Sequence, residues 1–128
     1  MSLTRQLLGK EAEAAAERLL RQKGYRILDR NVRIGRGELD IVARVGETVI
    51  FVEVKARRTD RYGGVAHAVT ARKERQLIQL AARYLARHRL ERQPCRFDVL
   101  LYDAGDPGSP SLEHVENAFE VAGDDRRW

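Results

Sequence analysis

Two apolar runs joined by a short polar turn constrain this chain more than any other feature, because each carries charge where a buried strand ordinarily has none. The first is Gly37-Glu38-Leu39-Asp40-Ile41-Val42, and the second is Ile50-Phe51-Val52-Glu53-Val54-Lys55. Both are rich in β-branched and aromatic residues, and Val45-Gly46-Glu47-Thr48 between them suits a two-residue hairpin turn with glycine at its first central position. In that register Val45 faces Thr48. Counting outward, Val42 faces Phe51, Asp40 faces Glu53 and Glu38 faces Lys55, and the period of two places all six on one face. Opposed carboxylates with Cβ atoms about 4.5 to 5.5 Å apart destabilise a hairpin unless something neutralises them. A divalent cation would do so, since Mg²⁺ takes oxygen ligands and rests on one or two carboxylates plus water and phosphate. Lys55, on the same face, would hold a phosphate oxygen or the attacking water. The plainer alternative is a Glu53–Lys55 ion pair at a strand end, with Asp40 capping a turn.

The rest of the chain sets the bounds. At 128 residues with 43% apolar content it has the length of one compact domain and enough apolar side chains for a core. A single domain is expected over residues 1–122, with 123–128 as a frayed tail. The stretch 71–92 holds seven basic residues and two acidic ones, and so contains the whole formal excess of +5. Such a local excess favours a polyanionic partner, nucleic acid ahead of an anionic membrane surface. The single cysteine, Cys95, excludes an intrachain disulfide and a paired-cysteine metal site. It follows Pro94 and reads as a small buried residue. No signal peptide and no run of about 18 apolar residues is present, so a cytoplasmic protein is expected.

Residues 4–23 read as a helix, with Leu8, Ala12, Ala16, Leu19 and Leu20 at helical spacing and Gly24 as its stop. Glu13 lies at the edge of that stripe. A strand interrupted near Asp29-Arg30 follows, and Gly35-Arg36-Gly37 turns into the hairpin. Residues 57–64 read as a mobile loop leading through Val65 to Val69 into the basic helix, which Thr70 can cap. Leu77, Leu80, Ala81, Tyr84 and Leu85 mark the buried face of this helix. The strand at 96–102 comes after it, so it should lie parallel to the Glu53 strand. Short strands at 112–115 and 117–121 close the chain. His67, His88 and His114 are far apart and read as surface or loop residues, with His67 placed to fold back beside the site.

This order of helix, three strands, helix and strand resembles the core of the PD-(D/E)XK nuclease superfamily, and most closely the YraN family of small bacterial proteins within it. The matching residues are Glu13, Gly24-Tyr25, Ile27-Leu28, Arg30-Asn31, Gly37 to Val42, Phe51 to Lys55 with Arg57, Lys73, Tyr84-Leu85 and Arg96 to Val99. They cover nearly the whole chain. The resemblance implies an α/β fold, an αβα sandwich with a central mixed β-sheet of restriction-endonuclease-like type. It also implies a site with Asp40 and Glu53 as Mg²⁺ (or Mn²⁺) ligands, Lys55 orienting the attacking water and Glu13 reaching in from the helix. Ala12 stands where the family commonly has glycine, and Leu39 replaces the superfamily's proline. Neither change removes a ligand.

The expected function is therefore a Mg²⁺-dependent endonuclease, a phosphodiesterase acting on nucleic acid and above all DNA, branched or structured DNA included. Arg57, Arg72, Lys73, Arg75 and Arg83 are the expected nucleic-acid contacts. The alternative from another class is a nucleic-acid-binding protein that keeps the fold without activity. A third, a membrane-surface or interaction module built on the basic helix, would not depend on Asp40. No membrane partner is expected, and the sequence leaves the oligomeric state open, a homodimer included.

Overall fold

The computed structural model describes residues 3–57, 69–105 and 109–119. Its elements are α1 (Leu3–Gln22), β1 (Arg26–Ile34), β2 (Gly37–Val45), β3 (Thr48–Arg57), α2 (Ala71–Arg87), β4 (Cys95–Asp103) and β5 (Ser111–Phe119). The expected loop at 57–64 and His67 fall largely or wholly outside the described residues, as do residues 120–128, which include the expected tail. Arg57 itself belongs to β3.

The strands form one sheet in the order β1-β2-β3-β4-β5. Neighbours are antiparallel except β3 and β4, which run parallel. Parallel strands need a long crossover, and α2 lies within it. Side chains alternate across β3: Val49 and Phe51 pack with Leu77, Leu80, Tyr84 and Leu85 of α2, whereas Ile50 and Val52 pack with Ala16 and Leu20 of α1. The helices therefore cover opposite faces, and the molecule is an αβα sandwich around a mixed sheet, compatible with a restriction-endonuclease-like fold. Full burial of each large side chain in these two layers contributes about 1.5 to 3 kcal/mol.

Local chemistry sets the element ends. Gly24 at φ 90 leaves α1 in a conformation that a side chain would resist. Gly46 at φ 58, with Glu47 outside the positive-φ set, makes the hairpin turn of the type whose first central residue is glycine. Thr70 caps α2 by accepting the Lys73 backbone N–H at 3.1 Å. Gly37 answers a closer demand, since a Cβ there would lie 2.7 Å from a Leu80 methyl carbon. Its bare backbone lets α2 settle onto the start of β2.

Three expectations change. The basic helix ends at Arg87 rather than running to Arg92, because His88 caps it and Arg89 turns to φ 58. The last two short strands are one strand, β5, kinked at Asn117 (φ 51) where its register against β4 shifts. His114 is a buried residue of that strand, its side chain 2% exposed, and not a surface or loop residue.

Candidate metal centre

The β2–β3 ladder runs from Val45↔Thr48 through Val42↔Phe51 to Ile41↔Val52. It stops one step short of the expected Asp40–Glu53 pair. Beyond that step Asp40 Oδ2 accepts the backbone N–H of Val54 at 2.9 Å, so a side chain takes a strand donor. Alternation also breaks here: Leu39 and Val42 both pack on the α2 side, whereas Ile41 and Ala43 pack on the α1 side. Residues two apart in a regular strand share a face, so Leu39 and Ile41 bracket a slip at Asp40. Across the sheet, Asn31 in β1 adopts φ 52 between the pairs Arg30↔Ile41 and Val32↔Leu39. Asparagine tolerates this left-handed conformation better than most side chains. The expectation that six residues share one face is thus corrected: Val42 and Phe51 join the α2 core, and Asp40 approaches α1.

The slip brings three carboxylates together. Glu13 of α1 and Glu38 and Asp40 of β2 present oxygens that all lie within 4.8 Å of one another. Glu38 was missed as a site residue, although its spacing of two from Asp40 was a legible signal. Glu53 lies outside this trio. It is buried, 6% exposed, and its Oε2 lies 3.5 Å from Lys55 Nζ and 3.7 Å from Lys73 Nζ. Lys55 thus forms the ion pair with Glu53 that the plainer alternative expected, and Lys73 is a second cation beside the same carboxylate.

Asp40 joins the two groups electrostatically. Burial pushes its pKa up to about 7, aided by the charge of Glu53, with which it shares a hydrogen bond, and by Glu13. The Val54 N–H works in the opposite direction. Glu13 is also raised, by burial and then by Glu38, against the lowering effect of Asn31. Clustered acids that resist ionisation are suited to a cation, which would favour the charged form of each. All the donor atoms are carboxylate oxygens, which fits a hard ion such as Mg²⁺ or Mn²⁺.

The expected nucleic-acid contacts are spread over the end of β3 and the length of α2. Arg57 lies at the end of β3 with its Nε 3.7 Å from Asp103. Arg72 and Arg75 are exposed on α2, and Arg72 and Lys73 line a hollow at its start together with Thr70 and Gln76. Arg83 is exposed farther along, where its guanidinium passes close over Gly35. No helix among the described residues is long and apolar enough to cross a membrane.

Comparison with known proteins places these features in a lineage. A UPF0102 protein of Symbiobacterium thermophilum is 47% identical over 114 residues, which is 89% of this chain and 97% of the relative. One from Geobacter sulfurreducens is 46% identical over 91% of each chain. Another, from Frankia casuarinae, is 46% identical over 88% of this chain and 95% of the relative. The family's profile matches residues 12–101, a span running from the start of the Glu13 turn through most of β4. The chain belongs to the uncharacterised protein family UPF0102, the YraN-like family that its motifs resemble.

Proposed function

We propose that this protein is a divalent-metal-dependent nuclease that hydrolyses phosphodiester bonds in nucleic acid, DNA foremost. The observation that carries the reading is the convergence of Glu13, Glu38 and Asp40 within 4.8 Å, next to a Glu53–Lys55 pair on the adjoining strand. Glu13, Glu38 and Asp40 would hold the ion, Mg²⁺ or Mn²⁺, with Glu53 beside them as a further carboxylate. An ion there supplies electrostatic stabilisation for charge developing on a phosphate.

The chain's own residues do the remaining work. Lys73 anchors Glu53 from α2, and Lys55, the more exposed of the two lysines, extends from the same carboxylate toward solvent. From there its ammonium orients the attacking water or a phosphate oxygen. Asp40 would be held ionised by a bound ion, and the Val54 N–H it accepts at 2.9 Å fixes the direction of its carboxylate. Arg72 and Arg75, exposed on the first turns of α2, supply cations for the phosphates of the substrate.

The experiment is incubation of the protein with labelled linear, flapped and four-way-junction DNA, in Mg²⁺ or Mn²⁺ and in chelator. Metal-dependent cleavage is expected, abolished in Asp40→Asn. In Lys55→Ala turnover should fall about 100-fold or more, the scale of a lost proton-transfer or orienting group, with ion uptake retained. Folded protein that binds these DNAs and cuts none of them with any metal would support the non-catalytic binder instead.

A further inference from the structure

A cleft of about 380 Å³ opens between α1 and the β1–β2 hairpin, and it leads directly to Glu13 and Asp40. Its lining mixes apolar and charged groups: Lys10, Ala14, Glu17 and Arg18 along the α1 side, Arg30 and Asn31 along β1, and Ile41 beside Asp40. None of its lining residues is aromatic. Arg30 is held by Glu17, with Nε 2.9 Å from Oε1, and Arg21 binds the same carboxylate at 3.2 Å. Lys10 and Arg18 form no ion pair among the described residues, although Arg18 lies within electrostatic reach of Tyr102. The cleft thus joins a carboxylate cluster at its inner end to cations not engaged with a carboxylate at its rim.

We propose that the α1–β1 cleft seats one unpaired nucleic-acid strand, gripped through its phosphates by Lys10 and Arg18 and read without regard to sequence. The inference deepens the nuclease reading and rests on it in one respect, that the strand's phosphate meets the ion at Asp40 and Glu13. Volume and lining both point this way. A cavity of this size matches a small-molecule site, with room for a nucleotide's sugar and phosphate and not for the breadth of a duplex. Sites that hold single strands without regard to sequence ordinarily add aromatic side chains on which bases stack, and none lines this cleft, so the proposed grip runs through the phosphates alone. The neighbouring carboxylates also make a second demand. Without a divalent ion, Glu13 and Asp40 repel a phosphate, so occupancy by the strand should be coupled to the ion.

The test is fluorescence anisotropy with a labelled oligothymidine and a duplex of equal length, in Ca²⁺ and in chelator, across a salt series. The expected result is binding of the single strand in preference to the duplex, strengthened by Ca²⁺. The double variant Lys10→Gln, Arg18→Gln should bind about tenfold more weakly, and its plot of log affinity against log salt should be shallower by about 1.4, two contacts at about 0.7 each. The charge-preserving pair Lys10→Arg, Arg18→Lys should restore both, which a merely structural role for these exposed side chains would not require. Parent affinity and slope in the double glutamine variant, a preference for duplex, or failure of the parent to bind the strand would overturn the proposal. Strand binding that depends on Lys10 and Arg18 but is indifferent to Ca²⁺ would uphold the cleft and count against the nuclease reading.

Discussion

Asp98 is buried and Asp40 half-buried, and the two carboxylates meet the cost of leaving water in opposite ways. Asp98, 1% exposed, accepts hydrogen bonds from Arg96 Nε at 2.9 Å, Arg96 Nη2 at 3.0 Å, His114 Nε2 at 2.8 Å and the Asn117 backbone N–H at 2.9 Å. Burial alone would raise its pKa, yet His114, Arg96 and the Asn117 N–H together hold it below the ordinary carboxylate range. The network extends outward through Arg96 to the Tyr25 hydroxyl and through His114 to Lys23. It ties β4 and β5 to the turn after α1. Asp40 also carries a burial penalty but has one backbone donor, and the acids Glu53 and Glu13 are among its neighbours. Burial therefore does not mark a functional carboxylate. What separates the two is their partners: hydrogen-bond donors and a cation around Asp98, like charges around Asp40.

The largest expected effect lies at the satisfied acid. Replacing Asp98 by Asn removes the charge that Arg96 shares and leaves a guanidinium facing a neutral group. Breaking a buried ion pair in this way costs about 3 to 5 kcal/mol, and the partial exposure of Arg96 places this case near 3. Urea unfolding would measure it. A loss below about 1 kcal/mol would mean that Asp98 is not the anchor of β5.

The opposite sign is expected at Asp40. Its folded pKa stands near 7 against an ordinary 3.8, so the native state holds the proton more tightly than the unfolded chain does. Stability from this group is present below pH 4 and is lost as pH rises through 7 in metal-free protein. Asp98, with its lowered pKa, contributes above pH 4 and loses that contribution as pH falls through its folded value. Asp40→Asn keeps an acceptor for Val54 and discards the repulsion, so in chelator at pH 8 it should be more stable than the parent by about 1 to 2 kcal/mol, discounted for partial exposure. At pH 4 the two should unfold alike. A variant less stable than the parent at pH 8 would contradict the like-charge account.

Much of this fold is written in local patterns. The register Val45↔Thr48 followed from one glycine in a two-residue turn, and the buried face Leu77, Leu80, Ala81, Tyr84 and Leu85 followed from helical spacing. The helix was drawn too long because charge, and not periodicity, carried it past Arg87. The slip at Asp40 was hidden for a different reason. It lies beside Asn31 of the neighbouring strand, whose φ of 52 no count along β2 contains. His114 was misplaced likewise: Glu113 and Glu116 around it suggest exposure, and only pairing of β5 beside β4 turns the imidazole onto Asp98. Lys73 was legible as a cation but not as the inward partner of Glu53, since that contact joins the start of α2 to β3.

The proposed site requires a divalent ion to compete with the proton on Asp40, whose pKa is raised by burial and by Glu53. Calorimetric titration of Mn²⁺ into metal-free parent and Asp40→Asn, at pH 8 and at pH 6, tests it most directly. Uptake by the parent with proton release is expected, weaker at pH 6 by up to about tenfold because the proton competes, with at least about tenfold weaker uptake by Asp40→Asn at pH 8. Equal affinity in the two proteins, unchanged between the two pH values, would contradict it.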